Sequence, residues 1–324
     1  MPTRAPTTAA ARWSADDIPD LDGRRAVVTG ANSGLGLQTA IGLAAHGASV
    51  VLACRDAGRG EAARATLRAE TGKDAELQLL DLADLASVAR FADDWGEAPL
   101  DVLVCNAGVM AVPRGTTRDG FETQIGTNHL GHFALVGRLL PALRRSPDAR
   151  VVVVSSAGHR MGRIDLEDLG WERRPYRPWR AYGQSKLANL LFARELDRRL
   201  RAHGDPVVAV AAHPGLASSN LSAPFVAGLP KPLAALYTSL GHAVEQSDAD
   251  GALPSLYAAT MPDVRGGEYF GPDGRFEQRG APTRVGRSDR ATDDVTARGL
   301  WSLSERLTGV TYPDLPPVGP TAGG

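Results

Sequence analysis

The sequence predicts an α/β protein: a doubly wound parallel sheet of about seven strands with helices on both faces. Two observations carry that reading. Short, nearly continuous apolar runs recur from about residue 25 to 215, and segments with apolar or alanine positions at helical spacing lie between them. Such runs mean that both faces of each strand are covered, as in a parallel sheet wrapped by helices. No internal repeat interrupts the pattern.

Taken in order, residues 1–20 are expected to form a flexible tail. Met1 to Arg12 hold Ala, Thr, Pro and Arg without the apolar stretch of a secretory signal. The strands are predicted at Ala26–Val28, Val50–Ala53, Leu77–Leu80, Val102–Val104, Val151–Val154 and Val207–Ala212, with a seventh at Glu268–Phe270. Helical spacing marks Gly36–His46, Gly58–Glu70 and Ser87–Trp95. Beyond about Pro262 the chain is rich in Gly, Pro, Arg and Asp and reads as loop, until a helix returns over Asp293–Leu307. Four prolines and three glycines in Pro313–Gly324 predict a second flexible tail over 312–324. One domain spanning 21–311 accounts for the rest.

Composition narrows the function. A hydrophobic content of 43%, a charged content of 23% and a net charge of -1 are those of a soluble globular protein. They give no basic excess for a nucleic-acid partner. The nearest approach to a membrane span, Leu221–Leu240, is interrupted by Pro224, Pro230, Lys231 and Pro232, so no stable membrane insertion and a cytoplasmic location are expected. Cys54 and Cys105 end apolar runs and read as buried thiols. His129 and His132 stand three apart, but no third ligand is spaced to join them, so no metal is expected. His213, before Pro214-Gly215, reads as positional. No Gly-x-Ser-x-Gly elbow surrounds a serine, which argues against a hydrolase.

Two motifs carry chemistry. Thr29-Gly30-Ala31-Asn32-Ser33-Gly34-Leu35-Gly36 follows the first strand and opens the first helix. Glycine there allows a sharp turn and close approach to a pyrophosphate, while the helix N-terminus supplies N–H donors. A plain strand-to-helix turn would also use glycine; the strand–helix units behind this loop favour the phosphate reading. The second motif is Tyr182-Gly183-Gln184-Ser185-Lys186, which sets a phenol and an ammonium one helical turn apart. A phenol ionises near pH 10, and a nearby positive charge is expected to lower that value. Lysine is scarce, with only Lys73, Lys186 and Lys231 among 36 Lys+Arg, so Lys186 is unlike the ordinary surface charge of this chain.

With its Gly-x-x-x-Gly-x-Gly spacing and Tyr-x-x-x-Lys, the chain resembles the short-chain dehydrogenase/reductase family over roughly residues 22–272. Further motifs fall in family order: Asp81-Leu82 at an adenine-side contact, Asn106-Ala107-Gly108 after the fourth strand, Asn128 in the next helix, Ser156 after the fifth strand, and Pro214-Gly215 after the sixth. The resemblance implies a Rossmann fold and hydride transfer between a nicotinamide and a carbonyl or alcohol. It implies Tyr182 as proton donor or acceptor and Lys186 as its modulator and ribose ligand. Ser156 would stabilise the developing alkoxide, and Asn128 would support a water that links Lys186 to solvent. Gly30, Asn32, Ser33, Gly34, Leu35, Gly36, Arg55, Asp81, Leu82, Asn106, Ala107, Gly108, Pro214 and Gly215, with Tyr182 and Lys186, would form the cofactor site.

At the end of the second strand Cys54 stands where NAD users of the family place an acid, and Arg55 follows. An arginine there pairs with the 2′-phosphate of NADP, so NADPH is the expected cofactor. Asp56 leaves NAD open, since it either caps the next helix or reaches the ribose. The 26-residue step from Ser156 to Tyr182 is about twice the usual family separation. The insertion Gly158–Arg180 carries Trp171, Tyr176 and Trp179 and is similar to the retinol dehydrogenase and light-dependent protochlorophyllide reductase branch. Substrate loops are expected near 157–181 and 216–246, the second an apolar lid or an added helix, with Ser218 or Ser219 near the nicotinamide. A lipophilic carbonyl or alcohol substrate follows. Family dimers pair the helices bearing Asn128 and Lys186, which raises a homo-oligomer. The competing reading is a catalytically silent NADP-binding sensor or scaffold on the same fold.

Overall fold

The computed structural model describes residues 12–215, 246–315, 317 and 318. Their strands are β1 (Arg25–Thr29), β2 (Ser49–Cys54), β3 (Glu76–Leu79), β4 (Val102–Cys105), β5 (Arg150–Val154), β6 (Val208–Ala212), β7 (Tyr269–Pro272) and β8 (Pro282–Arg284). They form one sheet in the order β3-β2-β1-β4-β5-β6-β7-β8. β1 to β7 are parallel and β8 pairs antiparallel with β7. The eighth strand lies inside the stretch expected to be loop. Pro282-Thr283-Arg284 carries no apolar run, so its pairing is a tertiary outcome that periodicity does not encode.

The helices are α1 (Gly34–Ala45), α2 (Ala57–Thr71), α3 (Leu85–Trp95), the single turn α4 (Thr123–Ile125), α5 (Gly131–Arg144), α6 (Pro178–Ala202), α7 (Asp248–Thr260) and α8 (Asp294–Thr308). A widened π turn, Gly126–Leu130, joins α4 to α5. Local chemistry sets their ends. Asp56, Asp84 and Asp293 accept main-chain N–H groups at the starts of α2, α3 and α8. Pro178 opens α6, and Gly72 and Gly309 close α2 and α8 in the left-handed conformation.

Strand residues alternate between two cores. Val27, Val51, Leu103, Val151 and Ala209 face α3, α5, α6 and α8, whereas Val28, Leu52, Val104, Val152 and Val210 face α1, α2 and α7. This double burial gives the unbroken valine runs their purpose.

Two expectations are corrected. Residues 12–20 are anchored at two points: Trp13 stands edge-on to Tyr257 with centroids 5.1 Å apart, and Ile18 is buried. The stretch read as the second tail begins with anchored residues. Tyr312 donates its hydroxyl to the Phe133 carbonyl at 2.7 Å, and Leu315 is buried. Separately, α8 of the same chain packs on α6. Trp301 packs on Phe133, Phe192 and Tyr312, and the Arg199 guanidinium lies 4.3 Å over its ring. Residues 216–245, including Ser218 and Ser219 and nearly all of the expected lid, lie outside the described residues.

Candidate active site

All the sequence-predicted site segments meet at the carboxyl ends of the strands. The sheet order reverses between β1 and β4, and the crevice outside that switch point is where open α/β sheets bind ligands. It holds an open cleft of about 310 Å³.

At the phosphate end, Gly30 has φ +66° and a Cβ there would lie 2.9 Å from the Ala107 Cα. A Cβ on Gly36 would meet the Gly30 carbonyl oxygen at 2.4 Å and Asn106 Nδ2 at 2.5 Å. The loop therefore closes only with glycine at both places. Ser33, the N-cap of α1, is extended and makes no side-chain cap, so the first N–H groups of α1 have no serine acceptor. Asn106 secures the loop from the neighbouring strand: its Nδ2 donates to the Thr29 carbonyl at 2.9 Å. The main-chain N–H groups of Asn106 and Ala107 donate to Thr29 Oγ1 at 2.9 and 3.0 Å.

At the β2 end, Arg55, Asp56 and Arg59 line the cleft. Asp56 accepts the Arg59 main-chain N–H at 2.8 Å, the helix-capping alternative of the two open for it. Arg59 was missed in the sequence reading. Its signal was available, because the first turn of a helix that starts at the end of β2 overhangs the crevice. Asp81, Leu82, Gly108 and Pro214 also line the cleft, as does Thr127, another residue the motifs did not mark. Gly215 (φ +71°) donates its N–H to Nδ1 of buried His213 at 3.2 Å, and a Cβ there would meet the Gln278 carbonyl oxygen at 2.3 Å.

At the far end stand Tyr182 and Lys186, both buried and both lining the cleft. Gly158 leaves room for the phenol, since a Cβ there would come within 3.2 Å of the ring. Ser156 does two jobs: Oγ accepts the Gly158 N–H at 3.1 Å and hydrogen-bonds Tyr182. Its neighbour Ser155 donates to the Lys186 carbonyl at 2.8 Å.

The expected electrostatic pairing is different from what helical spacing suggests. Burial raises the Tyr182 phenol above its ordinary value, and the opposing influence is the hydrogen bond with Ser156, not Lys186. The Lys186 amine sits 5.8 Å from the phenol ring centroid and donates to the Val154 carbonyl at 3.1 Å. Burial pushes it down to about 8. Spacing brings two side chains to one face; it does not aim them at each other.

Asn128 lies in the π turn behind the cleft and is fully buried. Its side chain is fully committed. Oδ1 accepts the Val109 N–H at 2.8 Å, and Nδ2 donates to the Val109 carbonyl and to Ser185 Oγ, both at 2.9 Å. Its main-chain carbonyl meets His132 Nδ1 at 3.0 Å. The two neighbouring histidines turn away from each other: His129 Nε2 meets Ser304 Oγ and His132 Nε2 meets Thr29 Oγ1, each at 2.9 Å.

The insertion is folded onto α6, the helix that carries Tyr182 and Lys186. Gln184 donates to the Leu169 carbonyl at 2.8 Å and accepts from Arg174 at 2.7 Å, while Tyr176 meets Gln124 at 2.8 Å and Glu122 at 3.0 Å. Trp179 stands edge-on to Tyr182, with centroids 6.1 Å apart.

A family model described as short chain dehydrogenase matches residues 24–229. The chain belongs to the short-chain dehydrogenase family. Among curated relatives of this dehydrogenase, human retinol dehydrogenase 13 is 41% identical over 307 residues, covering 91% of this chain and 87% of that protein. Mouse polyprenol dehydrogenase is 44% identical over 303 residues, covering 90% and 86%. Together with retinol dehydrogenases 12 and 14 from mouse, these relatives place the chain in the retinol-dehydrogenase-like branch. A crystal structure of an uncharacterised protein from Mycobacterium Paratuberculosis is 50% identical, with TM-score 0.78, covering 94% of this chain and all of that one. The Pseudomonas aeruginosa RhlG/NADP active-site complex is 28% identical, with TM-score 0.62, covering 80% and 98%. The chain is thus an NAD(P)-dependent oxidoreductase acting on alcohol or carbonyl groups. Among its described residues no helix is long and apolar enough to cross a membrane.

Proposed function

We propose that this dehydrogenase uses NADPH to interconvert a lipophilic aldehyde or ketone and its alcohol, as a carbonyl reductase in one direction, with Tyr182 as general acid/base. The observation that carries the reading is the polarity of the cleft. Two guanidiniums stand at one end, the glycine loop and an uncapped helix N-terminus at the middle, and Tyr182 with Ser156 and Lys186 at the other. That sequence of groups fits a 2′-phosphate, a pyrophosphate and a nicotinamide ribose in turn. Bound NADPH supplies the hydride.

The chain's own residues handle the proton. Tyr182, held neutral by burial at pH 7, donates its hydroxyl proton to the carbonyl oxygen, and Ser156 hydrogen-bonds the oxygen as charge develops there. Lys186 spends one N–H on the Val154 carbonyl and keeps two for the ribose hydroxyls. The main-chain carbonyl of Asn128 supports the water that returns a proton to Lys186 and Tyr182. Asp56, engaged as a cap, leaves the 2′-position to Arg55 and Arg59, which favours NADPH over NADH. The lipophilic substrate class is supported by the relatives named for retinol and polyprenol and by Trp179 beside Tyr182.

Absorbance of NADPH followed with a panel of apolar aldehydes and ketones tests this. Tyr182→Phe is expected to lower kcat by about 10²–10⁴-fold while NADPH affinity stays within about threefold, the phenol being no phosphate ligand. Full activity in that variant refutes the proton role. Tight NADPH binding with no turnover of any substrate favours the silent-sensor reading.

A further inference from the structure

We infer that His132, a residue the reaction does not consume, is a positioning residue that ties the cofactor bed to the proton-supply side of the site. The inference rests on the proposed reductase reading and adds to it a side chain with no contact to the cleft.

His132 lies in the first turn of α5, 1% exposed, with a partner on each ring nitrogen. Nδ1 is 3.0 Å from the Asn128 main-chain oxygen and Nε2 is 2.9 Å from Thr29 Oγ1. A carbonyl only accepts, so Nδ1 carries the hydrogen. Nε2 is then bare and accepts, so the Thr29 hydroxyl donates to it. The Thr29 oxygen in turn accepts the N–H groups of Asn106 and Ala107, which fills its two lone pairs. The Val104 carbonyl, at 3.3 Å, is the longer alternative for the hydroxyl proton.

One imidazole therefore closes a polar chain. It runs from Ala107, on the cleft wall, through Thr29, His132 and Asn128 to Ser185, whose hydroxyl donates to the Tyr182 carbonyl at 2.8 Å. Every link is between 2.8 and 3.0 Å. The chain joins β1, the segment just after β4, the first turn of α5, the π turn and α6, which must keep register for cofactor and phenol to meet.

Only the neutral ring makes both bonds, because an imidazolium would turn a second N–H toward a Thr29 oxygen whose two lone pairs are already taken, and would leave its hydroxyl only the longer Val104 contact. Burial pushes His132 down to about 4 against the opposing hydrogen bond to Asn128, Lys186 from α6 acts in the same sense as burial, and His129 in the π turn is itself held neutral by burial. The ring keeps one tautomer through the working pH range. Its effect is to fix the direction of the Asn128 carbonyl, the atom proposed to hold the water.

The test uses the full-length protein with His132→Phe and His132→Gln. The phenyl ring fills the space and removes both hydrogen bonds; the amide restores one donor and one acceptor. The measurements are kcat for NADPH-dependent carbonyl reduction, its solvent deuterium isotope effect, and NADPH affinity by fluorescence. For His132→Phe we expect kcat to fall on the order of 10- to 100-fold, the scale of a displaced supporting group. The solvent isotope effect should rise and NADPH affinity change by less than about threefold. His132→Gln should recover part of both kinetic changes. A folded His132→Phe with wild-type kcat and isotope effect overturns the inference. So does a loss of kcat that tracks the loss of folded protein with an unchanged isotope effect, since that is a purely structural role. Wild-type protein that binds NADPH and reduces nothing sinks the reductase reading and this inference together. Wild-type turnover with an indifferent variant sinks this inference alone.

Discussion

Replacing Lys186 by Met is expected to stabilise the cofactor-free protein while removing its activity. An unfolded lysine ionises near 10.5 and Lys186 in the fold at about 8, so keeping the ammonium inside costs roughly 3 kcal/mol below pH 8 at 1.36 kcal/mol per tenfold. The methionine fills similar space without a charge. It gives up the hydrogen bond to the Val154 carbonyl, worth about 1 kcal/mol. That oxygen is not orphaned, because Asn189 Nδ2 also donates to it at 3.1 Å. The expected net gain at pH 7 is therefore about 2 kcal/mol. Its pH dependence follows from the depressed folded value. The penalty is complete below about 8, fades as pH rises toward 10.5, and vanishes above it. By pH 9.5 the two proteins should differ by less than about 1 kcal/mol. Urea unfolding of both proteins at pH 7 and 9.5, with NADPH turnover in parallel, makes the check. A methionine variant less stable than wild type at pH 7, or a gap that ignores pH, refutes the claim that the ammonium is held at a penalty for function.

Arg59→Ala, and separately Arg55→Ala, should each weaken NADPH binding by about tenfold, the value of one exposed charge-assisted contact, and leave NADH affinity within about twofold; fluorescence titration with both cofactors decides it. Glu195→Ala should destabilise the protein by about 3 kcal/mol or more in urea, because it strips the carboxylate that pairs with Arg198 at 2.8 Å and Arg199 at 2.7 Å on the buried side of α6. Its kcat per folded molecule should stay close to wild type, since no atom of Glu195 reaches the cleft.

Elements whose stability is local were legible in the sequence, and those made by tertiary pairing were not. The valine runs announced β1, β2, β4, β5 and β6 because each is buried on both faces. The glycine loop was legible because a Cβ at Gly30 or Gly36 has nowhere to go. Tyr182 and Lys186 both line the cleft, but spacing says nothing of where an amine points, and Lys186 donates to the carbonyl of Val154. Arg59 was hidden among many arginines, and its overhang depends on where α2 starts. Pro313 to Gly324 has the composition of a tail, yet Tyr312 just before it finds a pocket made by Phe133 and Trp301, residues far away in sequence. Thr29 opens the loop motif, but its side chain's part as acceptor of two N–H groups depends on the segment after β4 and has no sequence signal.

The guanidiniums of Arg199 and Arg198 also grip the carbonyls of Leu315 and Val318, at 2.8 and 2.9 Å. A shortened expression clone ending at 311, a natural choice from the proline-rich composition that follows, would remove those clamps and Tyr312 with them. It would lay bare Phe133 on α5 and Trp301 on α8, the two rings that Tyr312 covers. Such a clone would invite clumping in the test tube; a stop codon placed after 318 keeps the cover on.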